Sequence, residues 1–307
     1  MQTRPFKQVD VFTDRPYLGN PLAVVLDGSA LDDAAMQRFA RWNNLSETTF
    51  LLPPADPAAD YSVRIFTPDG ELPFAGHPTL GSCHAWLQAG GQPRSPDFIV
   101  QQCQVGLVRI RREPATRRLA FAAPPLKRSA PGTALLAQVA TALELKPSQI
   151  LAAQVLENGP VWLSLLLDRP ETLLQLKPNP LEFGKFTAHV GLAAIYPLQE
   201  IPPLIARANR EALAFGSSTP FPHAAAPDLE VRAFVNASGV YEDPVTGSLN
   251  AALAQWLMAD GFMPERYVAS QGLCMSRAGE VHLQRDNAGQ VWVGGEVVTC
   301  IDGQVTL

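Results

Sequence analysis

The chain is poor in charge and has no long apolar segment. Lys, Arg, Asp and Glu make up 17% of its 307 residues, below the roughly 25% of an average soluble domain. The net charge of −5 argues against a broad phosphate-binding face, which needs clustered Lys and Arg. The longest apolar run, residues 161–167 with Ser164 inside it, is far shorter than the roughly 20 residues that cross a bilayer. We therefore expect neither nucleic acid nor a membrane as a partner.

Cysteine is scarce, and several familiar catalytic motifs are missing. The four cysteines are widely spaced without a C-x-x-C pair, and the first residues lack the apolar segment of a secretion signal. This usage is typical of a reducing compartment, so we expect a cytoplasmic protein. No Walker loop, H-E-x-x-H pair, G-x-S-x-G turn or zinc-type spacing of His and Cys occurs. The chemistries that depend on those motifs are not indicated.

The apolar content is high enough for a large core. Hydrophobic residues make up 47% of the chain, which excludes disorder for most of its length. Its 28 prolines favour strands joined by tight turns over long solvated helices. The length suits two domains of roughly 150 residues each.

Alternating and short apolar runs predict a mixed α and β fold in which strands dominate. Helices are predicted at 31–42, behind Ser29 as the N-cap, at 78–88 and at 248–258. Predicted strands occupy residues 7–12, 22–26, 49–52, 62–66, 150–156, 161–167, 189–196 and 229–235. The C-terminal part predicts a meander with strands at 273–276, 280–285, 291–293, 297–301 and 304–307. Residues 197–227 are rich in Pro, Ala and Ser, and their shape is not predicted.

The chain contains an internal repeat. The tetrapeptide V-R-x-F occurs at Val63–Phe66 and again at Val231–Phe234. Each copy is followed by a glycine turn, at Gly76 and at Gly247, and then by a predicted helix that carries Trp-Leu near its end. Any mixed fold repeats strand, turn and helix, but the shared order favours a duplication. Two similar halves that face each other would form a ligand cleft between them.

Both glycine turns present backbone N–H groups at a helix start. Such an end carries about half a positive charge and free amide donors, so it attracts a carboxylate or a phosphate. Either turn alone is equally well explained as an ordinary helix start. Polar neighbours favour the functional interpretation, because His77 lies on the first turn while Asp243 and Ser248 flank the second. Asp243 and Ser248 are also suited to purely structural turn and capping roles.

Glu47 is a candidate general acid or base. It follows small polar residues and precedes an apolar strand, so it is suited to a cleft wall, where burial raises the pKa of a carboxyl group. By spacing alone, Asp69, Glu71 and Glu242 are equally eligible.

Taken together, these motifs resemble the PhzF-like family, which is named for phenazine biosynthesis and shares the diaminopimelate-epimerase fold. The matching segments are 9–14 (VDVFTD), 19–25 (GNPLAVV), 44–50 (NLSETTF), 63–68 (VRIFTP), 71–81 (ELPFAGHPTLG) and 242–248 (EDPVTGS). They span both halves of the chain in the family's order. Residues 91–228 add little to the resemblance.

The resemblance implies an α+β fold with two similar domains. Each would be a mostly antiparallel sheet wrapped around a central helix, with the active site in the cleft between them. We place the domains at 1–120 and 121–307, with the last strands crossing back to the first domain. The resemblance implies no cofactor and no metal, and family members are usually homodimers.

The resemblance also implies roles for particular residues. In the family's phenazine-pathway isomerase, a glutamate that matches Glu47 moves a proton between carbons of a dihydro-hydroxyanthranilate. The implied substrate-binding residues are Asn20, Gly76, His77, Asp243, Thr246, Gly247 and Ser248. Related epimerases of this fold use two cysteines at positions that match Ala75 and Thr246, so their mechanism is disfavoured here.

The resulting prediction is a cofactor-independent isomerase that moves a proton on a small cyclic or unsaturated carboxylate. Two alternatives stay open. One is a non-catalytic relative that binds a small molecule, and the other is an epimerase of the same fold with a different pair of bases.

Overall fold

The structure is a computed structural model that describes residues 1–113, 116, 118–178, 189–197, 226–237 and 240–307. The stretch 197–227, for which the sequence predicts no shape, lies outside the described residues except at its two ends. None of the helices in the described ranges has the length and the apolar character needed to cross a membrane.

Nine strands lie in the first part of the chain and nine in the second. The first nine are β1 (Thr3–Val11), β2 (Asn20–Val25), β3 (Thr48–Leu52), β4 (Tyr61–Phe66), β5 (Glu71–Leu72), β6 (Phe98–Cys103), β7 (Gly106–Arg112), β8 (Leu119–Ala122) and β9 (Lys127–Ser129). The second nine are β10 (Ile150–Glu157), β11 (Val161–Leu167), β12 (His189–Ile195), β13 (Leu229–Ala237), β14 (Val240–Asp243), β15 (Arg266–Gln271), β16 (Gly279–Arg285), β17 (Val291–Gly295) and β18 (Val297–Thr306). These are the strands of the described residues.

Five α-helices are present in the same ranges. They are α1 (Asp33–Asn43), α2 (Gly76–Gln88), α3 (Thr133–Ala142), α4 (Pro170–Gln175) and α5 (Gly247–Ala259). The two helices predicted after the glycine turns are therefore found, each starting at its glycine.

Three local predictions were wrong. The N-cap of α1 is Asp32, whose carboxylate accepts from the N–H of Ala35 at 2.7 Å, and not Ser29. Residues 273–276 do not form a strand, because Leu273–Met275 is a single turn of 3₁₀ helix. The two predicted strands after residue 296 are one strand, since Gly303 continues the pairing of β18 with β1.

The order of strand pairing is the same in both halves. In the first, β1 and β2 form a hairpin, β2 lies parallel to β3, β3 is antiparallel to β4, and β4 lies parallel to β6. In the second, β10 and β11 form a hairpin, β11 lies parallel to β12, β12 is antiparallel to β13, and β13 lies parallel to β15. The duplication suggested by the V-R-x-F repeat therefore extends through the whole sheet topology.

The two halves exchange strands at their ends. The final strand β18 pairs with β1, while β9 pairs with β10, and β8 pairs with β17. The predicted division after residue 120 falls inside β8 and stays a prediction.

Helices α2 and α5 form the centre of the main core. Most residues of both helices are buried. Helix α2 packs against β1, β2, β3, β6, β8 and β18, and α5 packs against β10, β16 and β17. Helices α3 and α4 cover a second cluster on the outer face of β11 and β12. Helix α1 covers a third cluster beside β2 and β3. The sheets thus wrap around two central helices, which places the starts of those helices inside the molecule.

Candidate active site

The first residues of α2 and α5 touch each other. A Cβ placed on Gly247 would lie 3.2 Å from the Cα of Gly76, and one placed on Gly76 would lie 2.6 Å from the ring of Phe121. Glycine is needed at both starts because any side chain would push the two turns apart. The two predicted glycine turns therefore meet, one from each half of the chain.

Neither helix start is closed by a capping side chain. The N-cap residues are Ala75 in α2 and Thr246 in α5, and neither makes a side-chain capping hydrogen bond. The first N–H groups of an α-helix have no partner inside the helix. Two positively polarised helix ends at one point therefore form a suitable site for a carboxylate.

Glu47 lies directly before β3 and faces the start of α2. Its side chain is only 16% exposed. Burial, and then the negative charge of Asp243, raise its pKa from the ordinary 4.5 to about 8. Both the protonated and the ionised carboxyl are therefore populated near neutral pH, which suits a group that removes and returns a proton.

His77, the second residue of α2, contacts Glu47. Its Nε2 atom lies 3.4 Å from Oε2 of Glu47. Burial lowers the pKa of His77 to about 3, so the ring is neutral at pH 7 and the contact is not an ion pair. On the other side of the ring, Nδ1 lies 3.4 Å from the amide nitrogen of Asn20. A hydrogen on Nδ1 would point at that N–H₂ group, so the hydrogen is assigned to Nε2, which faces Glu47.

Asn20 connects the first half of the chain to the turn before α5. Its amide nitrogen donates to Oδ1 of Asp243 and to the carbonyl oxygen of Val245, both at 2.9 Å. The hydroxyl of Thr246 donates to the other carboxyl oxygen of Asp243 at 2.6 Å. Burial raises the pKa of Asp243 to about 6, although these two donors oppose the shift. Asp243 is therefore mostly ionised at pH 7, close to Glu47.

Three buried polar atoms at this point have no hydrogen-bond partner among the described residues. They are Oδ1 of Asn20, Oε2 of Glu47 and Nε2 of His77. Such atoms are rare in native proteins because an unmade buried hydrogen bond costs about 1–3 kcal/mol. An amide acceptor, a carboxyl oxygen and a ring donor are thus available to a bound molecule beside the two helix starts.

Gln271 and Asn250 hold the turn before α5 in place, and sequence reasoning missed both. The side-chain oxygen of Gln271 accepts from the backbone N–H of Thr246 at 3.0 Å and from the amide of Asn250 at 2.8 Å. The amide nitrogen of Gln271 donates to the carbonyl oxygen of Asp243 at 3.0 Å. Both residues are fully buried. Gln271 lies on β15, far from the turn in sequence, so only the strand pairing brings it there.

Ser248 lies at the edge of this cluster. It is partly exposed, and its carbonyl oxygen accepts from the amide of Asn158 at 2.8 Å. Asn158 belongs to the turn between β10 and β11, in the middle of the chain where the sequence suggested no site residue. The other eligible carboxylates are elsewhere: Glu71 and Glu242 each form a two-bond pair with an arginine, and Asp69 is exposed.

This combination of fold and polar cluster can be compared with known families. A family model described as phenazine biosynthesis-like protein, PhzC-PhzF, matches residues 9–303. The chain belongs to the phenazine biosynthesis-like family. The resemblance predicted from the six sequence segments is confirmed.

Similar proteins cover nearly the whole chain. The chain is 32% identical over 316 aligned residues to Antisense-enhancing sequence 1 of Schizosaccharomyces pombe, with 99% of each chain covered. It is 30% identical to the trans-2,3-dihydro-3-hydroxyanthranilate isomerase of Pseudomonas aeruginosa, over 97% of this chain and 98% of that one. A PhzF-family phenazine biosynthesis protein of Bacillus anthracis has a crystal structure that matches with a TM-score of 0.78 at 20% identity, covering 100% of both chains. The predicted α+β fold is confirmed.

The residues at the two N-cap positions distinguish this family member from a two-cysteine epimerase. Ala75 has no ionisable group, and the hydroxyl of Thr246 is bonded to Asp243. None of the four cysteines lies in either turn, and Cys83, which does belong to α2, is buried further along the helix.

Proposed function

We propose that this protein is an isomerase that moves a proton on a small cyclic or unsaturated carboxylate, with Glu47 as both acid and base and without a cofactor. The observation that carries the proposal is the buried Glu47 carboxyl, whose pKa is raised to about 8, beside two uncapped helix starts that meet. Similarity to a protein named as an isomerase along almost its full length supports the same class of reaction.

In this proposal Glu47 works on one face of the substrate. Its ionised form takes a proton from one carbon, and the resulting carboxylic acid returns that proton to another carbon. The negative charge that develops on the substrate is stabilised by the helix starts at Gly76 and Gly247, which need no reorganisation during the reaction. The raised pKa matches the acid strength of Glu47 to both half-reactions near neutral pH.

The neighbours of Glu47 bind and orient the substrate. The backbone N–H groups after Ala75 and Thr246 hold its carboxylate, with Ser248 at the rim. Asp243 accepts a hydrogen bond from an amino or hydroxyl substituent, and the neutral His77 donates through Nε2. Asn20 holds the side chains of Asp243 and His77 in fixed relative positions, because its amide nitrogen contacts both.

The test replaces Glu47 by glutamine, which keeps the shape and removes the ionisation. We expect Glu47→Gln to lose turnover of trans-2,3-dihydro-3-hydroxyanthranilate by about 10²–10⁴-fold, the usual contribution of a general acid or base. Exchange of the carbon-bound proton with heavy water, followed by NMR, should fall equally. Glu157→Gln is the matched control, since Glu157 is an exposed carboxylate at the end of β10. Wild-type exchange in Glu47→Gln would show that another group is the base.

The same measurements separate the alternatives. A non-catalytic binder would be stabilised against heat by the ligand and would show neither exchange nor turnover in the wild-type protein. An epimerase would invert configuration at the reacting carbon. Proton transfer by a single carboxylate predicts that the proton leaves and returns on one face, so stereochemical analysis of the product decides between the two enzyme classes.

A further inference from the structure

The two halves share a structural detail that goes beyond their strand order. Arg64 makes two hydrogen bonds to Glu71 at 2.8 and 2.6 Å, and Arg232 makes two to Glu242 at 2.8 and 2.9 Å. Each glutamate also begins the pattern E-x-P-x-x-G, whose glycine starts the central helix. The halves can therefore be aligned residue by residue around the site.

Strand register extends this alignment to the strands beside V-R-x-F. In the first half, Phe66 lies opposite Thr48 at the start of β3. In the second half, Phe234 lies opposite Val190 near the start of β12. Thr48 and Val190 are therefore equivalent, and so are the residues one position before them.

Those preceding residues are Glu47 and His189. Two positions after His189, a Cβ on Gly191 would clash with the side chain of Leu249 in the first turn of α5. Side chains two positions apart in a strand point to the same face. The ring of His189 also lies 5.0 Å, centroid to centroid, from that of Trp162, which belongs to the core around α5. His189 therefore faces α5, as Glu47 faces α2.

The hairpin beside His189 reaches the first turn of α5. Asn158, in the turn that leads into β11, donates to the carbonyl oxygen of Ser248, the second residue of α5. In the first half, Glu47 lies 3.4 Å from His77, the second residue of α2. Because His189 is the equivalent of Glu47, we expect it to lie beside Ser248, the second residue of α5.

We infer that His189 belongs to the same site, on the side opposite Glu47, where its imidazole hydrogen-bonds a hydroxyl or amino substituent of the substrate and so determines which carboxylates the site accepts. This inference rests on the proposed function. One nitrogen of a neutral imidazole is enough for this contact, since it either donates or accepts and a hydroxyl or amino group can do both. Burial lowers the pKa of His189, and this supports the neutral form. His189 is a specificity-determining residue in this scheme, and Glu47 keeps the proton transfer.

The placement of His189 can be tested without a substrate. Ser248→His would put a second imidazole next to His189, at the position that His77 occupies relative to Glu47. Two imidazoles within reach of each other bind Zn²⁺. By calorimetry with Zn²⁺ alone, we expect binding at least about tenfold tighter than in the wild type. The double variant Ser248→His/His189→Ala should return to the wild-type affinity. Tighter binding that survives in the double variant, or no gain in the single variant, would overturn the placement.

The specificity role is tested with three probes of increasing polarity: benzoate, anthranilate and 3-hydroxyanthranilate. The wild type should bind the most substituted probe about tenfold or more tightly than benzoate, as expected for one well-made hydrogen bond. His189→Phe should reduce that preference by about tenfold while still binding benzoate, because Asp243 can still accept from the substituted probes. His282→Phe is the control, because His282 alternates with the core residues Val281 and Leu283 and so faces away from α5. A preference that His189→Phe leaves unchanged, or no preference in the wild type, would contradict the role.

The two proposals fail in different ways. If Glu47→Gln retains wild-type proton exchange, the proposed function is wrong, and the zinc and probe measurements still report on His189. If Glu47→Gln is inactive while both His189 measurements equal their controls, the proposed function stands and the inference about His189 is wrong. Circular dichroism of each variant establishes that it is folded, and the probe measurement decides the matter if Ser248→His does not fold.

Discussion

Glu47 makes folding dependent on pH. Its pKa is about 8 in the folded protein and near 4.5 when exposed, so the folded state binds the proton more tightly than the unfolded state. The free energy of unfolding therefore contains a contribution that is complete below about pH 4.5 and is lost as the pH rises towards 8. The carboxyl to which the proposed function assigns the proton transfer is thus one that destabilises the fold when it ionises in alkaline solution.

This linkage predicts the stability of Glu47→Gln. At pH 9 the variant should be more stable than the wild type by about 1–3 kcal/mol, because glutamine imitates the protonated carboxyl and has no charge to bury. At pH 4.5 the two proteins should be nearly equal. Urea denaturation at both pH values measures the difference. An advantage of the same size at both would mean that ionisation of Glu47 is not its source.

Asp243 contributes to the pH at which Glu47 ionises, after the larger effect of burial. Because its negative charge is the second cause of the raised pKa of Glu47, Asp243→Asn should lower that pKa. In the wild type we expect kcat/KM to rise with pH to a plateau with a midpoint near 8, since kcat/KM reports on the free enzyme. In Asp243→Asn the midpoint should move to lower pH, although the plateau itself should fall because the proposed function assigns Asp243 a contact with the substrate. Asp69→Asn, on an exposed turn, should leave the midpoint unchanged, and an unmoved midpoint in Asp243→Asn would refute the coupling.

At the scale of elements, the contact between α2 and α5 depends on the absence of a side chain. Gly247→Ala would place its Cβ 3.2 Å from the Cα of Gly76 and 3.3 Å from the backbone nitrogen of His77. Both neighbours are backbone, so the helix starts must separate. We expect activity to fall at least about tenfold, with a loss of about 1–3 kcal/mol of stability from overpacking.

The control for that substitution is Gly303→Ala in β18. An added Cβ there meets nothing within 4 Å, so activity should be unchanged and stability unchanged or slightly higher. Full activity in Gly247→Ala would mean that the close approach of the helices is not required for function.

Sequence patterns were sufficient for the central elements of the fold. The V-R-x-F repeat and the two glycine turns predicted the duplicated halves, because those residues are constrained locally by a strand, a tight turn and a helix start. They did not reveal that Glu71 and Glu242 are equivalent. Glu71 follows Phe66 by five positions, but Glu242 follows Phe234 by eight. Because the two spacings differ, the sequence alone does not align the two glutamates.

The rest of the candidate site required the tertiary structure. The sequence indicated Glu47, His77 and Asp243, which the structure brings together. It gave no sign of Gln271 or His189, because strands that are distant in the chain carry these residues to the helix starts. The mistaken strand at 273–276 has a similar origin: an apolar run of that length fits a strand or a helical turn, and here Gly272 at φ 101° favours the turn.

At the scale of the whole molecule, the last strand completes the first half. β18 pairs with β1 from Thr306 opposite Thr3 to Val297 opposite Val11. Asp302 of this strand lies 2.6 Å from the buried Lys7 of β1. Removal of residues 297–307 should therefore destabilise the first half, seen as a fall in Tm of at least about 10 °C or as loss of cooperative unfolding.

A circular permutant provides the control. The backbones of Gln2 and Leu307 are hydrogen-bonded to each other, so a short turn can join residue 307 to residue 1. A chain that begins at Val297 and ends at Glu296 keeps every strand contact and should regain the wild-type Tm. If the truncated chain is as stable as the full one, β18 is dispensable for the first half.

The meeting of Gly76 and Gly247 also has an electrostatic consequence. Two helix dipoles oriented this way present like poles to each other, so the central helices repel at the point where the fold brings them together. An anion between them converts that repulsion into two attractions. In the proposed function the carboxylate of the substrate is that anion, so substrate binding would strengthen the contact between the two halves.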